Sequence, residues 1–371
     1  MGKRIGFGGL LVILTACGGG VDTTPATSNP LPPASQKDGD QGLYIPTKPT
    51  VPDRVAEDVG TPSALALTQD SVVFTTHDTM VAGERVAAGA LFVADKRVGK
   101  ALLLGVDRQG ASFDALATDG TTAFVATSDA RLLGAPVSGG TTTTLATLSA
   151  PAVALAMFGN YVYFATNAGG LARVAKTGGT TEPLATITGA IHGLEADDAA
   201  VYVATGAAEE TPAGIVRVPL DGGAPAVLSS GNEPCAMVRN GRSLFWTSLA
   251  ASAAAGTGTT PKVDSGAVLK LSLDGGAVAT VASGAFAACA IAADQDSLYF
   301  ATTVPNALAV KSGSSSGAPS AGLGLMRAPI AGGAPVAIAQ ASKALAQPGA
   351  VAVDASHVYW LTESAVLRLA K

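Results

Sequence analysis

Short apolar runs recur along most of the chain, separated by glycine, serine, threonine and aspartate. Seven share one pattern: Val72-Val73-Phe74, Ala123-Phe124-Val125, Val162-Tyr163-Phe164, Val201-Tyr202-Val203, Leu244-Phe245-Trp246, Leu298-Tyr299-Phe300 and Val358-Tyr359-Trp360. Two residues after each comes a hydroxyl: Thr76, Thr127, Thr166, Thr205, Ser248, Thr302 and Thr362. Runs this short, rich in β-branched and aromatic residues, predict strands. Their third residues are spaced by 51, 39, 39, 43, 54 and 60 positions, so the chain is a repeat.

A second signal keeps pace with the first. Gly-Gly pairs stand at 139–140, 178–179, 222–223, 275–276 and 332–333. Such pairs supply the positive φ angles of hairpin turns. One strand precedes each pair, as in Ile215 to Leu220, and another follows, as in Ala226 to Leu228. A further strand, alternating Ala with larger apolar residues, precedes each aromatic strand; Ala64 to Thr68, Ala152 to Ala156 and Ala350 to Asp354 are examples. Each unit is thus four antiparallel strands, a to d, with the aromatic strand as b. Units of this length and strand number predict propeller blades, with the alanine-rich strand a innermost. The expected fold is all-β: a seven-bladed β-propeller of four-stranded antiparallel blades. The last unit stops after its third strand, Val366 to Lys371, while an unassigned segment, Arg54 to Gly60, precedes the first blade. Pro62, Pro234 and Pro348 each lie 12 residues before the third residue of their b strand, which fixes the register of that segment as a strand d. An N-terminal strand is therefore expected to pair with the C-terminal blade and close the ring.

The repeat resembles the YWTD repeats of low-density-lipoprotein receptors and the related NHL propellers. Val201-Tyr202-Val203 through Arg217-Val218-Pro219-Leu220-Asp221-Gly222-Gly223 carries the likeness best, and Val358-Tyr359-Trp360 echoes it. The signature aspartate is replaced here by small or polar residues, and six blades are usual in that receptor family. The resemblance implies a propeller and a binding role over residues 54 to 371, and carries over no catalytic residues.

The start of the chain reads as an address. Lys3 and Arg4 precede an apolar stretch, Ile5 to Ile13, too short to span a bilayer and fitting a secretory signal. Leu14-Thr15-Ala16-Cys17 then resembles the lipobox of bacterial lipoproteins, which implies lipidation of Cys17 after removal of residues 1–16. Residues 17–53, rich in Gly, Pro, Thr and Ser, read as the lipidated cysteine and a disordered tether, with the propeller at 54–371. Gly18, in place of Asp, favours the outer membrane by analogy. The expected location is the bacterial cell envelope, lipid-anchored and extracytoplasmic.

Composition narrows the function classes. Of 371 residues, 48% are hydrophobic and 14% charged, the balance of a chain that buries a core. The net charge of −5, with no basic run, argues against nucleic acid. Loops joining b to c share a face with the connections from d to the next a. Four b–c loops are long, at 76–89, 205–214, 248–266 and 302–324. On that face lie His77, Asp78, His192, Glu209, Glu210 and Glu233, from separate blades and without metal-ligand spacing. Basic residues recur in c strands, at Arg173, Arg217, Lys270, Arg327 and Arg368, placed to lie against b-strand aromatics. Cys235 and Cys289 each lie 11 residues before the third residue of their b strand, equivalent positions in adjacent inner strands. They would form one disulfide, or two buried small hydrophobes. The expectation is a non-enzymatic binding or protein-interaction module needing no cofactor. Its membrane contact is the lipid anchor alone, and its ligand an envelope protein or glycan. The competing expectation is a lactonase-like hydrolase with a metal in the channel, for which Glu195 is the one buried-looking inner-strand acid.

Overall fold

A computed structural model describes residues 52–81, 84–86, 88–97, 100–107, 109–231, 233–249, 266–284, 287–304, 322–340, 350–362 and 364–371. Seven four-stranded antiparallel sheets stand in a ring, a β-propeller. Blades 1 to 6 each use four strands in chain order; in blade 5 these are a (Glu233–Asn240), b (Ser243–Leu249), c (Gly266–Ser272) and d (Ala279–Gly284). The inner strands touch their neighbours all the way round, from Pro62–Leu67 of blade 1 to Val351–Val353 of blade 7. Asp53–Glu57 supplies the outer strand of blade 7, pairing Arg54 with Leu367 and Glu57 with Ala365, so the ring closes as expected. Residues 17–51, Cys17 and nearly all of the expected tether, lie outside the described residues, as do most of the two longest b–c loops; the closing strand begins at Asp53, one residue before the expected propeller boundary of 54. The first b–c loop, read from the sequence only as long, holds a small hairpin of Thr79–Val81 with Glu84–Val86. Three-residue strands are too short to show an alternation in sequence.

The core consists of seven wedges, one between each pair of adjacent blades. This explains the aromatic motif. Successive residues of a strand point to opposite faces. Tyr299 therefore enters the wedge between blades 6 and 7, and Phe300 the wedge between 5 and 6. Tyr359 and Trp360 divide in the same way. In blades 3 and 7 the hydroxyl two residues on ties down the b–c hairpin: Thr362 Oγ1 donates to the Ala365 carbonyl and accepts from its amide, and Thr166 Oγ1 accepts from the Gly170 amide. At the c–d turns both residues of the pair Gly178–Gly179 have positive φ, 86° and 128°, as the Gly-Gly signal requires. The basic residues of the c strands pair across from the aromatics in register, Tyr163 with Arg173, Tyr202 with Arg217, Phe245 with Lys270, Tyr299 with Arg327 and Tyr359 with Arg368. Lys270 Nζ lies 5.5 Å from the Phe245 ring and the Arg327 guanidinium 6.0 Å from Tyr299.

A second fastening was not anticipated. At the a–b turns Asp197, Asp294 and Asp354 each accept two backbone amides through Oδ1 and the hydroxyl of the tyrosine five residues on through Oδ2. A lysine just after strand c of the next blade completes the set twice: Lys96 with Asp354 at 2.9 Å, and Lys371 with Asp294. Asp119 and Lys176 form the same inter-blade pair without a tyrosine. Burial pushes the Asp354 carboxyl up, but Lys96 and the two turn amides outweigh it and hold the group well below the usual carboxylate range. Tyr202 and Tyr299 are pushed up to about 12 by burial and by their aspartates.

Candidate functional site

Among the described residues, six inner strands are interrupted by a β-bulge at one equivalent position, which in the seventh strand lies outside the described residues. The pairing with strand b skips one residue, and the skipped residues are Ser63, Asp114, Val153, His192, Cys235 and Cys289. A bulge re-aims a side chain out of the regular alternation. Here all six line one cavity of about 220 Å³ at the start of the inner strands, the mouth of the central channel on the face shared by the b–c and d–a loops. Neighbouring lining residues are small or aliphatic, among them Ala64, Ala154, Gly193 and Ala236. The backbone device repeats from blade to blade while the side chains differ.

Several bulged residues reach to the next blade. Ser63 Oγ donates to the Phe113 carbonyl at 3.2 Å and shares a 2.8 Å hydrogen bond with Thr75. His192 Nδ1 donates to the Pro234 carbonyl at 2.6 Å, which fixes that nitrogen as the protonated one and leaves Nε2 beside Gly206. Cys235 and Cys289 form a disulfide with Cα atoms 4.8 Å apart, so bulging brings the two strands within bridging distance. Asp114 is different. Its carboxylate accepts from Ser112 Oγ at 2.6 Å within its own blade. Val153 is 40% exposed, an apolar side chain in an otherwise mixed rim. Among the described residues, the lining contains no lysine or arginine.

Below the rim stands Glu195, 2% exposed. It pairs with Tyr202, the position at which five other inner strands have Ala66, Ala117, Ala156, Ala292 and Ala352. Burial pushes its carboxyl up to about 8, against the opposing charge and backbone amide of Arg239.

Of the residues expected from sequence, His192 and the two cysteines come together in the channel mouth. His77 is exposed in the bend before the small hairpin, and Asp78 accepts from the Thr61 amide at 2.7 Å, fastening the entry to blade 1. Glu209 and Glu210 are exposed in the turn between the bridged residues Ala208 and Thr211, and Glu233 is an exposed first residue of its strand. None of these four glutamates and aspartates lines the cavity. Among the described residues, no group of three or more His, Cys, Asp or Glu side chains is placed to hold a metal. Ser63, Asp114 and Val153 escaped notice, although each lies 11 residues before the third residue of its b strand, the same offset as the cysteines.

No family model and no curated protein matches this chain. Solved structures do resemble it. The extracellular domain of a hybrid two-component system from B. thetaiotaomicron aligns with TM-score 0.58 at 12% identity, over 85% of this chain and 39% of that one. A chain of the mitotic checkpoint complex aligns with TM-score 0.60 at 11% identity, over 91% of this chain and 100% of the other. YCF48 bound to a D1 peptide aligns with TM-score 0.60 at 10% identity, over 89% and 97%. At such identities the likeness concerns the fold alone, which defines the class as a seven-bladed propeller. This chain spans well under half the length of the two-component extracellular domain.

Proposed function

We propose that this chain is a non-enzymatic binding module, held at the bacterial cell envelope by lipid on Cys17 and displayed outside the cytoplasm, with the outer membrane as the favoured location. The observation that carries the binding reading is the set of six bulges turned into one cavity, with five different residue types at the six positions around it. A structural requirement alone would be met by one side chain repeated, as it is for the alanines beneath. The cavity admits a single side chain or a group of similar size, not a folded domain. With Asp114 and His192 both in the lining and no lysine or arginine among its described residues, it suits a donor or cationic group presented by a protein partner. YCF48, similar in fold alone, is solved with a peptide bound, which agrees with a protein ligand. The lipid anchor rests on the Leu14-Thr15-Ala16-Cys17 motif.

Affinity capture from an envelope extract, comparing the wild-type chain with an Asp114→Asn/His192→Ala variant, tests the site. A partner retained by the wild type and lost by the variant, with unchanged melting temperature, is the expected result; equal capture by both would sink the channel-mouth reading. Palmitate labelling that disappears in Cys17→Ser tests the anchor separately.

A further inference from the structure

We propose that the Cys235–Cys289 disulfide is a thiol–disulfide exchange site, open through the channel mouth to a dithiol reductant. This stands independently of the binding reading. A disulfide that serves only to hold a fold is sheltered by it, and exchange requires that a thiolate reach a sulfur. Here both cysteines line the cavity at the mouth, Cys289 as an exposed residue and Cys235 half-buried. Among the described residues, the lining beside them includes the small side chains of Ala236, Ala290 and Ala350. Ring closure does not depend on the bond, because Asp53–Glu57 closes it by pairing with Ala365–Ala370 within blade 7.

The asymmetry in exposure gives the reaction a direction. A thiolate of the dithiol attacks Sγ of Cys289; the Cys235–Cys289 bond breaks, and its electron pair leaves with Sγ of Cys235, which takes a proton from water. The second thiol of the reductant, deprotonated, attacks its partner sulfur in the mixed disulfide and expels Cys289 as a thiolate, which is protonated in turn. The dithiol loses two electrons and two protons and becomes a disulfide; the protein gains both as two thiols. Reduction unties blade 5 from blade 6 at the mouth and places two weak S–H donors in the lining where the disulfide offers none. His192, one blade earlier and bonded to the carbonyl of Pro234, is in position to feel the change first.

The test uses the intact chain and dithiothreitol. Thiols are counted with time in native buffer and in urea, with circular dichroism followed in parallel. Native reduction within about tenfold of the urea-unfolded rate, with the strand signal retained, is expected for an open exchange site. Reduction about a hundredfold slower or more, or only as the strand signal is lost, overturns the proposal. Two variants, each in a Cys17→Ser background, check the direction against an aromatic disulfide probe: Cys235→Ser, which leaves Cys289, should react faster than Cys289→Ser, which leaves Cys235. The reverse order would refute attack at Cys289, and the wild-type kinetics remain decisive should either variant fail to fold.

Discussion

Individual side chains make two opposite electrostatic statements. Glu195 has its carboxyl raised by burial to about 8. A carboxyl raised in the folded state stabilises fully below its unfolded pKa, and that stability is lost as the pH climbs from about 4.3 through the folded value. The wild type should therefore lose melting temperature between about pH 5 and 8 relative to Glu195→Gln, read by calorimetry at both pH values; parallel profiles would mean that Glu195 is ionised in the fold. Asp354 works the other way, its lowered carboxyl stabilising above the unfolded range and losing that contribution as acid protonates it. Lys96 and Asp354 have side chains only 10% and 12% exposed. Lys96→Met should cost about 3 kcal/mol, because it leaves a buried carboxylate without its cation. Arg242 and Asp274 are 67% and 63% exposed, so Arg242→Ala should cost below about 1 kcal/mol in the same denaturant titration. Comparable losses for the two would contradict the burial argument.

At the scale of strands, the repeat was legible because every blade must solve the same packing problem. The b-strand triplet sends residues into two wedges, so both must be large and apolar. The Gly-Gly turns need positive φ, and the crowded inner strands need alanine. Physical demands that recur leave marks that recur. The Asp–Tyr–Lys fastening was missed because its partners stand on different blades and, for Lys96 with Asp354, at opposite ends of the chain. The bulge was missed for another reason: it changes where a residue points without changing which residues are used. Its trace in the sequence is the fixed offset from strand b, which stands out at Cys235 and Cys289 because cysteine is rare here and does not stand out at Ser63 and Asp114. The closing strand makes its own prediction. Removing residues 53–57 would bare the edge formed by Ala365–Ala370. Light scattering of the shortened chain should show concentration-dependent association, with a lowered melting temperature; a monomer melting like the parent would mean that the strand is dispensable.

Over the whole molecule, the two rims of the ring carry different chemistry. One holds the a–b turns and their carboxylate–lysine pairs; the other holds the bulges, the disulfide and the longer loops. Strand direction assigns the closing segment between them. An outer strand runs toward the face from which the next inner strand departs, so Asp53–Glu57 ends near the channel mouth and begins on the opposite rim. Whatever lies upstream of Asp53 therefore joins the propeller from behind, as a stem joins a flower.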